Sequence, residues 1–222
     1  SENRLVKKPK SMPLELAPIF GCAFQTGPGM ILNQMKIKQN DFVAVFGLGG
    51  VGLSSLAVLK ALNAKNVICI DKNYKKLKIA KKLGFKKLIN LKKDSLLKMV
   101  KKFTKGSGVQ YCVESAGESK TIELGMSILK KNGKIVFASH PDENKKISIN
   151  PHDLISGKKI EGSWGGQCSP DKDIPKVFNL LKKKGIDLSC FTQKVYPLKK
   201  INNAIKDFRA GKVLRPIIKM MH

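Results

Sequence analysis

Acidic residues are scarce in this chain: 16 Asp and Glu stand against 43 Lys and Arg, for a formal charge of +27 over 222 residues. Aromatic residues are also few, at 6% with a single Trp. The charge invites a nucleic-acid reading, but the scarcity of rings weighs against it. Lysines recur through nearly every expected helix (KNYKKLKIAKKLG, KKDSLLKMVKKFTKG, LLKKKG), opposite the leucines, and no aromatic-basic stripe interrupts them. Charge patterned in this way acts on solubility and anion steering, and suits a polyanionic cofactor. No C-x-x-C pair occurs among Cys22, Cys69, Cys112, Cys168 and Cys190. An odd, scattered set argues against a disulfide framework and fits a reducing cytoplasm. His140, His152 and His222 have no partner at a metal-binding interval. No apolar run reaches membrane-spanning length, and the first residues lack the apolar core of a signal peptide.

The information lies in residues 42–71. FVAVF is an apolar, partly β-branched run suited to one buried strand of a parallel sheet. Gly47, Gly49 and Gly52 follow at G-x-G-x-x-G spacing, with Gly50 and Val51 between them. Leu53, Leu56, Ala57 and residues 59–62 then supply a helical apolar face, and within NVICID Val67 to Ile70 read as a second buried strand, ended by Asp71. Gly47 permits a tight turn, Gly49 lets backbone approach a pyrophosphate, and Gly52 allows helix to pack on strand. The phosphates would sit at the helix N-terminus, facing free N–H groups and the positive end of the dipole. Asp71 lies 24 residues beyond Gly47, near the spacing of a carboxylate that accepts the ribose hydroxyls. An acid there favours NAD over NADP, because it repels a 2′-phosphate. The alternative is a glycine turn with a purely structural role.

The chain continues the same alternation. Residues 1–13 read as an arm, and the abrupt start at Ser1 reads as a fragment of a longer protein or an expression remnant. Helices are expected near 14 and over 27–35. After Asp71 come a helix (74–83), strand (87–90), helix (95–103), strand (109–115) and helix (120–129), with Lys131-Asn132-Gly133 as cap and turn. The NGKIVFAS strand follows, then a last strand over 158–164. Six strands with right-handed crossovers make an α/β fold, a doubly wound parallel sheet of the Rossmann type. From 167 the repeat breaks into a basic helix (174–184), strand (192–196), helix (199–210) and strand (213–220), a short α/β tail belonging to a neighbouring layer. The expected division is 1–23, 24–166 and 167–222: an entering linker, an NAD-binding unit, and the tail of the neighbouring layer.

GCAFQTGPG, VAVFGLGGVGLSS, ICIDKNYKKLKIAKKLG, SINPHDLISGKKIEGS and YPLKKINNAIKDFRAGKVLRPII resemble, in register, the C-terminal part of the zinc-dependent, medium-chain alcohol dehydrogenases. The likeness runs from about residue 14 to the end. It implies hydride transfer between NAD and an alcohol or aldehyde at a catalytic zinc, with 1–23 as linker and remnant of the catalytic domain and 167–222 as that domain's C-terminal segment. By motif, Cys22 matches the third protein ligand to that zinc, and Thr26 matches the residue beside the nicotinamide. Val51 would back the ring, Asp71 would take the adenosine ribose with Lys76 as its cationic neighbour, and Arg215 would reach the pyrophosphate. A guanidinium suits phosphate because it donates in a fixed fork. The chain departs from the family in lacking the preceding β-rich domain that carries the other two zinc ligands and the structural zinc lobe. It also has Ala138, in VFASHP, where a valine-rich strand usually ends in glycine.

Several residues keep two readings. Glu114 is either a functional carboxylate or a turn cap. Trp164 is either core or subunit interface, and His140 is the histidine nearest the expected nicotinamide end. SINPHDLISGKKIEGS falls where family dimers join edge strands, so a homo-oligomer is expected. A different class of function remains: a non-catalytic module of this fold holding nucleic acid or a protein partner on its basic surface. A reductase of the same fold working without zinc is a third reading, against which Cys22 stands.

Overall fold

Phe42–Phe46, Asn66–Asp71, Lys87–Asn90, Val109–Glu114, Leu129–Phe137 and Lys159–Gly162 are the strands β1 to β6 of one parallel sheet, in the order β3-β2-β1-β4-β5-β6. The computed structural model describes residues 5–192 and 194–220; the first four residues of the arm, Gln193, Met221 and His222 lie outside it. Apolar strands at the centre are what a parallel sheet needs, since helices cover both of its faces. Val43 and Val45 of β1 face one layer, while Ala44 and Phe46 face the other, all with no exposed surface. The two valines and Phe46 each contribute about 1.5–3 kcal/mol on burial.

Helices α3 (Gly50–Ala61) and α4 (Tyr74–Lys82) cover the first face; α5 (Leu96–Thr104) and α6 (Ser119–Ser127) cover the second. The chain reaches the sheet through α1 (Ala17–Phe20) and α2 (Ala23–Gly29), and a wider turn over Met30–Gln34 continues α2. Of the two helices expected early in the chain, the second starts before residue 27 and tolerates Pro28 inside it. Helix α8 (Pro170–Lys183) packs on α2 and α3 through Val177, Phe178 and Leu181. Phe20 stands edge-on to Phe178 at 5.9 Å, and Phe24 to Phe191 at 4.8 Å, geometry that favours aromatic pairs.

The tail has β7 (Val195–Pro197), α9 (Ile201–Arg209) and β8 (Ile217–Lys219), with β7 and β8 paired as a separate parallel ribbon. Both strands are shorter than expected. Asp207 binds β7 to α9, taking Tyr196 Oη at 2.7 Å and Lys194 Nζ at 2.8 Å. Two boundaries also move. Helix α6 ends at Ser127, and Lys131-Asn132-Gly133 falls within β5, where Asn132 (φ +59°) makes an irregularity rather than a helix cap. Helix α8 begins four residues early, because Pro170 presets its first turn and Asp173 accepts from Ser169 N at 2.8 Å. A short helix, α7 (Pro151–Ile155), adds to the expected set. No described helix is long and apolar enough to cross a membrane.

Candidate dinucleotide site

The strand order reverses between β1 and β4, and a crevice of this fold opens where the connections leaving neighbouring strands run to opposite faces of the sheet. β1 ends into Gly47, whose φ of +79° only glycine adopts without strain, and whose missing Cβ would lie 2.6 Å from the Ala116 backbone. Ser115 clamps the turn from β4, donating to Gly47 O at 2.8 Å and Phe46 O at 3.0 Å. A Cβ on Gly52 would strike the Gly47 carbonyl oxygen, so glycine there is what lets α3 sit against the turn. Gly49 caps α3, and its open side meets nothing within 4 Å. That free backbone at a helix N-terminus is an anion site in shape and in field.

Asp71 closes the crevice from β2. It is buried, with Oδ2 accepting from Leu48 N at 2.7 Å and Oδ1 from Asn73 N at 2.7 Å; Lys76 Nζ lies 3.9 Å from Oδ2. Two backbone donors fix the carboxylate's orientation and leave each oxygen a lone pair for a hydroxyl. The cleft beside it, about 260 Å³, is lined by Gly47, Gly49, Asp71, Lys76, Ser115 and Thr121 among others. Lys72 and Glu118 join across its rim at 2.5 Å, and that contact raises the Lys72 pKa above its ordinary value. Arg215 arrives from the tail: a Cβ on Gly50 would come within 2.6 Å of its guanidinium. A dinucleotide's demands for bare backbone, a ribose acceptor and a phosphate fork are all met by these residues.

The structure thus gathers Gly47, Gly49, Gly50, Val51, Gly52, Asp71, Lys76 and Arg215 around one crevice. Val51, half-buried, is the second residue of α3, and its carbonyl accepts from Ser54 and Ser55. Thr26 sits in α2 beside it: the adjacent Gly27 is so close that a Cβ would meet the Val51 carbonyl at 2.5 Å. The Thr26 hydroxyl donates to Cys22 O at 3.1 Å. Ser115, Lys72 and Glu118 escaped the sequence reading. Its place directly after β4, beside the topological switch, is the signal that could have found Ser115.

Cys22 is exposed at the start of α2. Among the described residues no three His, Cys, Asp or Glu side chains gather closely enough to hold a metal ion. A tetrahedral zinc needs at least three protein ligands, so the donors described here do not fit a complete zinc site. His140 instead stands edge-on to Trp164 at 5.3 Å, and Trp164 is 85% exposed, which removes its core reading. Glu114 is fully buried and accepts from Ala116 N at 2.7 Å, Thr121 Oγ1 at 2.8 Å and the Ser139 hydroxyl. It is a turn and cap residue tying β4, α6 and the end of β5 together. Burial pushes the Cys168 thiol up to about 11, and it donates to Gln25 O at 3.1 Å.

A family model described as zinc-binding dehydrogenase matches residues 50–183, more than half of the chain, and the chain belongs to that family. It is 33% identical to benzyl alcohol dehydrogenase from Acinetobacter calcoaceticus, over 99% of this chain and 60% of that one, with a TM-score of 0.93. It is 30% identical to an alcohol dehydrogenase zinc-binding domain protein from Burkholderia ambifaria, over 100% of this chain and 60% of that one, with the same TM-score. An alcohol dehydrogenase from Thermus sp. ATN1, 20% identical over 96% of this chain and 62% of that one, shares the fold with a TM-score of 0.86. The chain thus spans about 60% of the length of these structures. The family and the Rossmann-type sheet agree on a cofactor-binding unit of an oxidoreductase.

Proposed function

We propose that this chain is the cofactor-holding portion of an NAD-dependent, zinc-dependent alcohol dehydrogenase. The observation that carries the reading is the Asp71 carboxylate, buried at the end of β2 and oriented by Leu48 and Asn73 N–H groups. In this reading Asp71 accepts the adenosine ribose hydroxyls with Lys76 beside it, and the N–H groups around Gly49, Gly50, Val51 and Gly52 take the pyrophosphate. Arg215 adds a fork from the opposite side, and Gly47 keeps the turn low enough for the approach. Thr26 and Val51 border the end where the nicotinamide, which supplies hydride chemistry when bound, meets an alcohol or aldehyde. Cys22 is one zinc donor, with the remaining ligands coming from outside the described residues. Residues 24–166 form the dinucleotide unit, and 1–23 and 167–222 adjoin the catalytic part, with α8 as the physical join. The exposed Ile155 and Trp164 beside β6, whose outer edge pairs with no described strand, support a homo-oligomer. Five unpaired cysteines support a reducing compartment.

Fluorescence titration of the chain with NADH and NADPH tests the reading. NADH should bind and NADPH should bind about tenfold or more weakly, the cost of placing a 2′-phosphate against a carboxylate. Equal affinities would remove Asp71 as the selecting group. No binding of either would remove the cofactor reading itself.

A further inference from the structure

A second, larger groove of about 630 Å³ opens from the same glycine turn and runs away from the ribose cleft, between α4 and the α9–β8 connection. One wall is a helical stripe, Lys75, Lys78 and Lys82 at i, i+3 and i+7, with Lys76 at its head. The other wall is Arg209, Lys212 and Arg215. No Asp or Glu lines the groove. Among the described residues, Lys75, Lys78, Lys82, Arg209 and Arg215 have no carboxylate within 4.0 Å, while Lys212 shares Asp207 with Lys194. Seven cations held in one concavity raise the local anion concentration far more than the same charges spread over a convex surface.

Two features separate this groove from the general lysine coat. The chain has only three arginines, and two of them, Arg209 and Arg215, stand here. Arginine is the side chain whose fork matches phosphate. The groove also shares Gly49, Gly50 and Arg215 with the candidate dinucleotide site, so backbone N–H groups face one of its ends. Its lining holds one aromatic ring, that of Phe208, which suits a reader of phosphates better than a reader of bases.

We infer that this groove is a binding site for a condensed phosphate chain, either inorganic polyphosphate or the phosphate tail of a nucleoside polyphosphate. Its occupant shares the glycine turn with the dinucleotide and excludes it. Direct binding does not depend on the proposed NAD reading; only the exclusion does.

The test titrates tripolyphosphate, and separately ATP, into the chain by calorimetry at about 0.15 M salt, without NADH. Three proteins are compared: the parent, a groove triple (Lys78→Gln, Lys82→Gln, Arg209→Gln) and a control triple on exposed α5 positions (Lys98→Gln, Lys101→Gln, Lys102→Gln). The two triples lose equal charge on opposite faces of the sheet. The groove triple should weaken tripolyphosphate about tenfold or more and flatten the salt slope by about two to three, while the control changes neither. Equal losses in both triples, with circular dichroism showing both folded, would overturn the site in favour of diffuse attraction. Tighter ATP than tripolyphosphate assigns the nucleoside source, and the reverse assigns the inorganic one. A single-stranded oligonucleotide that outcompetes both and is lost in the groove triple would overturn the ligand class. In the parent, tripolyphosphate should raise the apparent NADH dissociation constant in proportion to its concentration. Direct binding without competition would overturn the shared end, and tripolyphosphate binding to a chain that ignores NADH would fault the cofactor reading alone.

Discussion

The glycine crevice and the Cys22 corner lie on adjoining helices and differ in completeness. In the crevice every functional group is held by another part of this chain. Asp71 is oriented by two backbone N–H groups, Gly47 is clamped by Ser115, and Arg215 is brought across from the tail. At the corner a single thiol stands exposed, with no second or third metal donor gathered near it among the described residues. Folding alone can therefore pre-form the first, whereas a metal site at the second would need ligands from elsewhere. A site that is pre-formed binds without an ordering cost, which is the advantage of preorganisation.

The sharpest way to break this contrast is Gly52→Ala. Its Cβ has to displace the Gly47 carbonyl, so urea denaturation should show a loss of about 1–3 kcal/mol, as overpacking costs, and NADH fluorescence enhancement should vanish. An unchanged midpoint would mean that the turn yields and is not pre-formed. Asp71→Asn comes next. It keeps one oxygen acceptor, turns an NH2 toward the other flanking N–H and loses the charge, and NADH should bind about 10- to 100-fold more weakly, the worth of a hydrogen bond to a charged group. A smaller effect comes from acid. Lys194 and then Tyr196 hold the Asp207 carboxyl down to about 2 from an ordinary 3.8. A depressed carboxyl stabilises the fold above its unfolded value, and that contribution is lost as pH falls through the folded one. The join of β7 to α9 should loosen between these values, read as a Tyr196 ring shift in NMR. Asp207→Asn should abolish that transition.

The smallest effect belongs to the other side of the comparison. Zinc added to this chain should leave its thermal midpoint unmoved and form no tight one-to-one complex. At neutral pH one thiol should react rapidly with a labelling reagent. Cys168 and Cys190 are half-buried and pushed up to about 11 by burial, and Cys69 and Cys112 are fully buried and raised as well. Cys22→Ser should remove the fast phase. A persistent fast phase would show that the exposed corner lies elsewhere.

Most of the sheet was legible because parallel strands announce themselves as apolar runs: β1 and β3 match their expected residues, and the other four sheet strands share cores with theirs. Elements set by distant packing were harder. The tail strands are short because each finds one partner only, and a three-residue ribbon carries little periodicity. Lys131-Asn132-Gly133 adopted a left-handed backbone at Asn132 as its composition suggests, but inside a strand, since pairing of Leu129 with Val109 had already begun. At the site, the glycines and Asp71 were readable through spacing. Ser115 and the Lys72–Glu118 pair were not, because they depend on which strand ends meet at the switch point. The start of α8 at Ser169-Pro170 was encoded locally, in a proline and two aspartates that mark a helix N-terminus.

Gly27 sits on the first turn of α3 with no room for a methyl group between them, and Gly29 lies equally close to Gly166. Helix α2 is thereby keyed to the glycine turn as one rigid piece, with Cys22 at its start and Thr26 in its middle. The spacing from thiol to crevice then works as a fixed gauge that a hinge elsewhere leaves unchanged. Any part that closes over this surface moves relative to thiol and crevice together, and reaches both in the same stroke.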